Sequence, residues 1–171
     1  MDFSNAQVIL IAYIASNVVA ILMLLASWKK PAIARILYLL LFLWASWANT
    51  TTALFAPQLY LEYAQFTFLP LYRDFINGLF SHHVTTLVLG IAVCQFLIGS
   101  SMLLKGVIFR LGTMGGIVFL LSIAPLGVGS AFPATLVMAA GLYLLIRKNS
   151  NIYLWQALFG MKKLKMKEMK V

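Results

Sequence analysis

The sequence predicts an all-α integral membrane protein with five transmembrane helices. Two observations carry this. The 171-residue chain is 63% hydrophobic and only 10% charged, with a mean hydropathy of +0.95, whereas soluble domains are nearer half apolar and a quarter charged. All but one of its positive charges also lie in alternate connections between apolar runs or in the tail, which is how membrane orientation is written into a sequence. A water-soluble fold could not hide this much apolar surface, so lipid is the expected solvent and the bilayer the expected partner.

A spanning helix needs about 20 mostly apolar residues. The runs that qualify are 6–28, 33–55, 84–104, 107–126 and, shorter, 132–146. They divide the chain into an N-terminal helix with a basic loop (1–32), a four-helix core (33–148) holding an aromatic outer segment (57–83), and a basic interfacial tail (149–171). Asp2 precedes the first run and Lys29 and Lys30 follow it, the reverse of a signal peptide. Five crossings with the N-terminus outside and the C-terminus cytoplasmic place twelve of the thirteen Lys and Arg residues inside. The expected location is the plasma membrane of a bacterium or archaeon. The net charge of +9 is thereby accounted for, and nucleic acid is not an expected partner.

Without a hydrophobic drive between helices in lipid, small residues mark close packing. Gly112, Gly115, Gly116 and Ser122 give the fourth run such a face. Packing inside one bundle is the preferred reading, and a dimer contact the other. Pro125 ends or kinks that helix, with Ser130 the expected cap of the next. Trp44, Trp47, Tyr60, Tyr63 and Tyr72 fall where an aromatic belt would sit. The tail, with Tyr153, Trp155, Phe159 and its lysines, reads as a segment drawn to anionic lipid. The lone Cys94 excludes an internal disulfide and reads as a small buried hydrophobe.

The segment 57–83 is too polar to span and too aromatic for a loose linker. Connections of this length are usually functional, and it is expected to lie over the mouth of the bundle. It holds Glu62, Arg73, Asp74, His82 and His83, which with Gln95 form the candidate ligand-binding set. Adjacent histidines face different sides of a helix, so no metal site is expected. The plainer reading makes Ser81 the cap of the third run and leaves the histidines solvated. Gln95 sits mid-span, where an unpaired amide is costly, and is expected to bond Asn17, Asn49 or a backbone carbonyl. No span carries a charge at its centre, against the needs of ion-coupled carriers. No nucleotide loop, nucleophile elbow or haem motif is present, and no catalytic residue is expected.

The stretch ARILYLLLFLWASWANTTTALF, followed by LVLGIAVCQFLIGSSMLLKGVIFRLGTMGGIVFLLSIAPLG, resembles the DoxX-like family of small integral membrane proteins. The residues that carry the resemblance are Arg35 at the start of the first family helix, Gln95 and Gly99 in an apolar run, and Gly106 and Arg110 at the following turn. It spans about residues 33–147. The family often has Glu where Gln95 stands, and the usual end of its first helix is replaced here by Asn49–Thr52. The resemblance implies a four-helix bundle, which the first apolar run precedes as one extra N-terminal helix outside it, and a link to quinone-coupled membrane redox systems. The expected function is a non-catalytic membrane accessory protein or subunit that binds a membrane protein partner or a second copy, with a quinone-like lipophilic molecule as the ligand class. A membrane component of a quinone-linked oxidoreductase is the first alternative, a neutral-solute carrier the second.

Overall fold

Three X-Pro steps set where helices begin. A residue before proline is pushed out of the helical region, while proline itself suits the first helical position. Lys30 (φ −140°, ψ 70°) separates α1 (Phe3–Lys29) from α2 (Pro31–Phe55), and Ala56 (φ −149°, ψ 53°) ends α2 before a 3-10 turn at Pro57–Glu62. α3 (Tyr63–Phe66) follows, and Leu69 (φ −103°, ψ 120°) then opens α4 (Pro70–Phe75). A π turn at Ile76–Phe80 leads to α5 (Val84–Ser101), α6 (Gly106–Ile123), a 3-10 stretch at Ala124–Ser130 and α7 (Ala134–Lys148). This is the architecture of a computed structural model that describes residues 3–148 and 151–160, with no strand among them. Residues 154–160 are helical again.

Four helical stretches are long and apolar enough to cross a membrane: Leu10–Lys29, Pro31–Phe55, Val84–Ser101 and Gly106–Ser130. The fifth expected span, 132–146, is α7, which starts two residues later and has 15 residues. At 1.5 Å per residue it is about 22 Å long, short of the roughly 30 Å hydrocarbon core. The preceding stretch is taken up by the turn at Ala124–Ser130, in which Gly127 has φ +66° and a Cβ would meet Phe66 O at 2.5 Å.

The helices pack in a circuit: α1 on α2, α2 on α5, α5 on α6, α6 on α7 and α7 back on α1. Tyr38, Phe42, Met102, Phe109, Leu142 and Leu145 are fully buried at its centre. The outer surface is apolar, with Ile14, Leu22, Leu40, Trp44, Leu97 and Val118 all at least half exposed. A face of this kind along every long helix is stable against lipid and not against water. Cys94 is on this surface, exposed rather than buried as its apolar neighbours suggested.

The glycine face of α6 turns inward. A Cβ at Gly112 would run into the Ser101 side chain, and one at Gly116 would lie 2.9 Å from Leu142 Cδ1. Gly115 has more room, 3.6 Å from Ile98 Cγ1. Ser122 departs from the expected face. It is exposed and donates to Val118 O of its own helix.

Candidate functional site

The two ends of the bundle differ. One carries Lys29, Lys30, Lys105 and Lys148, with Lys148 Nζ donating to Trp28 O at 2.7 Å. The other is covered by the aromatic segment. There Thr67 Oγ1 donates to Pro125 O (2.8 Å), Tyr72 OH to Ser122 O (2.7 Å), and the Phe68 and Phe132 rings meet edge-on at 5.8 Å. The segment from Pro57 onward is thus bonded down onto the α6–α7 connection.

Arg73 belongs to this stitching. Its Nε and Nη2 donate to Ala64 O (3.3 Å) and Thr67 O (3.5 Å), carbonyls at the end of α3. Asp74 and Glu62 are exposed. The Glu62 charge adds to burial in raising the Tyr63 phenol above its ordinary pKa, burial being the larger cause. Among the described residues no three His, Cys, Asp or Glu side chains gather where a metal could be held.

The two histidines line a cleft of about 340 Å³ between the Pro57–Glu62 turn and the start of α5. Pro57, Gln58 and Leu61 form one wall, and Ser81 to Thr86 the other. His82 and His83 are exposed on it. Ser81 does not cap α5. Its hydroxyl donates backward to Asn77 O and Gly78 O, and His83 occupies the cap position without a side-chain bond. Ser130 behaves alike, donating to Gly127 O instead of capping α7. The cleft therefore has imidazole, hydroxyl and amide groups on its surface, mixed with the apolar Pro57, Leu61 and Val84.

Gln95 is not part of this cleft. It stands eleven residues beyond Val84 on α5, about 16 Å deeper at the helical rise. Its Oε1 accepts from Asn49 Nδ2 at 2.7 Å, and Asn49 Oδ1 accepts from Tyr60 OH at 2.8 Å. Of its expected partners Asn49 is the one found, while Asn17 donates to Tyr13 O within α1. The chain links the cleft's first wall to α2 and then to α5. Ser46 Oγ to Ala92 O (2.7 Å) and Thr85 Oγ1 to Ala53 O (3.2 Å) join the same two helices. Burial raises the Tyr60 pKa despite the opposing Thr52 hydroxyl, which keeps the phenol a donor.

The residue whose role sequence reasoning missed is Arg35. By position it is one more basic residue between apolar runs, yet it is 0% exposed. Nε donates to Met102 O (2.8 Å), Nη1 to Ile152 O (2.9 Å) and Nη2 to Leu104 O (2.5 Å), with the Phe109 ring 4.5 Å from the guanidinium carbon. It satisfies carbonyls at and just past the end of α5, where a helix leaves acceptors unpaired, and fastens the 151–160 stretch to them. Leu154 N adds a bond to Leu103 O. Its place at the proline-led start of α2, which also made it one of the residues carrying the family resemblance, marked its position but not its burial.

No family model matches the chain, and neither a curated protein nor a solved structure is found to match it. The fold and site define an all-helical protein with four helices fit to cross a membrane. The interfacial role expected of the lysine-rich tail falls for the most part on residues 161–171, outside the described residues.

Proposed function

We propose that the chain is a non-catalytic integral membrane accessory protein or subunit, in the manner of the DoxX-like family it resembles. The cleft beside His82 and His83 receives the polar head of a lipophilic, quinone-like molecule. The cleft carries this reading: it is ligand-sized, lies at one end of an apolar bundle, and mixes donors with apolar walls, as small-molecule sites do. In the proposed membrane α7 is a fifth crossing, the aromatic end faces outward and the basic end the cytoplasm, in keeping with the charge bias.

Only two histidines occur in the chain, so their imidazole NMR signals report on the cleft alone. Titrating a decylbenzoquinone into the protein in nanodiscs should shift both signals saturably. Unmoved imidazoles would remove the ligand from this cleft. Purification in mild detergent should recover a stoichiometric membrane protein partner or a second copy, and a lone monomer would count against the accessory role. The oxidoreductase reading is favoured by both imidazoles facing one cleft, where they could exchange protons with a quinol. It requires quinol turnover that disappears in the His82→Ala/His83→Ala variant.

A further inference from the structure

At the basic end Lys29, Lys30, Lys105, Arg110, Arg147 and Lys148 are all exposed. The carboxylates among the described residues, Glu62 and Asp74, both belong to the aromatic segment at the other end. Three of the cations stand beside aromatic rings instead. Lys105 Nζ is 4.6 Å from the Tyr153 ring centre, Lys148 Nζ 5.9 Å from that of Trp28, and Arg147 Cζ 6.0 Å from that of Tyr143. The 151–160 stretch adds an apolar edge to these charges. Arg35 Nη1 donates to Ile152 O and Leu154 N to Leu103 O, which buries Leu154 against the bundle. Trp155 and Phe159, one helical turn apart, lie on another face and are 45% and 70% exposed. Trp155 stacks on Tyr153 at 4.3 Å, which ties its ring to Lys105. Just past Lys105, at the start of α6, Val107, Ile108 and Leu111 are exposed as well. The apolar surface of this end therefore continues into the lipid-facing side of the bundle.

We infer that the basic end is a docking surface for anionic phospholipids of the surrounding leaflet. Trp155 and Phe159 sit among the first acyl carbons, and the cations meet the phosphates. Charge complementarity selects this occupant. A zwitterionic headgroup brings its own cation, whereas an anionic one leaves its phosphate to the lysines and arginines, which attract it without any carboxylate to oppose them. The rings fix the depth. Aromatic side chains beside cations suit the headgroup plane, where one side of the ring meets hydrocarbon and the other meets water. An acidic protein would match the charge, but it would not extend the contact onto the lipid-facing wall at Val107, Ile108 and Leu111. The inference does not rest on the histidine cleft, which lies at the opposite end.

The test offers the full chain, in mild detergent, equal amounts of phosphatidylglycerol and phosphatidylcholine. Mass spectrometry of the retained lipid should show phosphatidylglycerol favoured about tenfold. The preference should shrink as salt rises, because exposed charges are screened. In Lys29→Gln/Lys105→Gln/Lys148→Gln it should fall to about twofold. The lysines of 161–171 are present in both chains, so the difference belongs to the three replaced cations. If that variant does not fold, the salt series on the parent decides. Depth is read in nanodiscs after Trp28→Phe, Trp44→Phe and Trp47→Phe, which leave Trp155 as the sole indole. Phosphatidylglycerol brominated near the top of its chains should quench Trp155 more strongly than iodide in the water does. Equal retention of the two lipids, or a preference that neither salt nor the triple variant changes, would overturn the inference. So would a Trp155 quenched by iodide and not by the brominated lipid, which would turn the aromatic edge toward water or an acidic protein.

Discussion

At the basic end, Arg35 gathers three backbone carbonyls from two separate segments and is wholly enclosed. At the aromatic end, the covering segment is held by separate bonds from Tyr60, Thr67 and Tyr72 to Asn49, Pro125 and Ser122, while Arg73 ties the segment to itself. The first arrangement concentrates its stabilisation in one side chain and leaves that junction closed. The second spreads it, and between its attachments a cleft remains. Rigidity and access have been allotted to opposite ends of one bundle, in line with the general placement of binding groups on connections held by a firm scaffold.

The largest expected effect tests the closed end. Arg35→Met removes three charge-assisted bonds and strands their carbonyls, which should cost about 3 kcal/mol or more. Arg35→Lys keeps the charge but not the fork of donors, so it should recover only part of the loss. Thermal unfolding in detergent gives the ranking. A methionine variant that melts with the parent would mean that the basic end is held by something else, and the contrast between the ends would collapse.

How far this contrast could be read beforehand depends on what kind of partner each residue uses. The long helices were legible because an uncharged apolar run of spanning length is stable only in lipid, and Gln95 was legible because a mid-span amide demands a partner. Arg35 was not, because its acceptors are backbone carbonyls of residues 102, 104 and 152, and a backbone acceptor leaves no mark in composition or spacing. The cleft was half legible. The histidines stood out, but Pro57, Gln58 and Leu61 become its wall only when the 3-10 turn brings them across from α5. The expected ligand set divided for the same reason: Arg73 found carbonyls within its own segment, and Gln95 lies too deep on α5 to share the cleft.

The next effect concerns the helix packing beside the closed end. Gly112→Ala drives a methyl into the buried Ser101 side chain and should cost about 2 kcal/mol, as overpacking does. Gly115→Ala, one turn along with ordinary van der Waals room, should be close to neutral. Equal melting temperatures for the two variants would show that the α5–α6 contact yields easily, and the basic half would be no firmer than the other.

Toward the aromatic end a smaller loss is expected. Asn49→Leu breaks both bonds of the Tyr60–Asn49–Gln95 chain, and interhelical bonds in membranes are worth about 1 kcal/mol. The melting shift should be well below that of Arg35→Met. Hydrogen exchange should rise in the Pro57–Glu62 turn while residues 102–104 stay protected. A shift as large as that of the arginine variant would place the critical junction at the aromatic end instead.

The smallest effect is a pH dependence confined to the same end. Tyr60 and Tyr63 both have phenols raised above their ordinary value of about 10, chiefly because burial disfavours the phenolate. A raised value means that the fold favours the protonated form. The stability this contributes is fully present below about pH 10 and is lost as pH climbs through the higher folded-state values. Ionisation of Tyr60 also removes the proton it donates to Asn49, so the hydrogen-bond chain should fail from its outer member inward. Comparing alkaline melting curves of the parent with those of Tyr60→Phe/Tyr63→Phe isolates this part from the titration of surface lysines. The double variant should start lower, having lost the Tyr60 bond, and decline less steeply above about pH 10. Parallel curves would mean that neither phenol is protected by the cover, and the aromatic segment would then lie looser over the bundle than its hydrogen bonds imply.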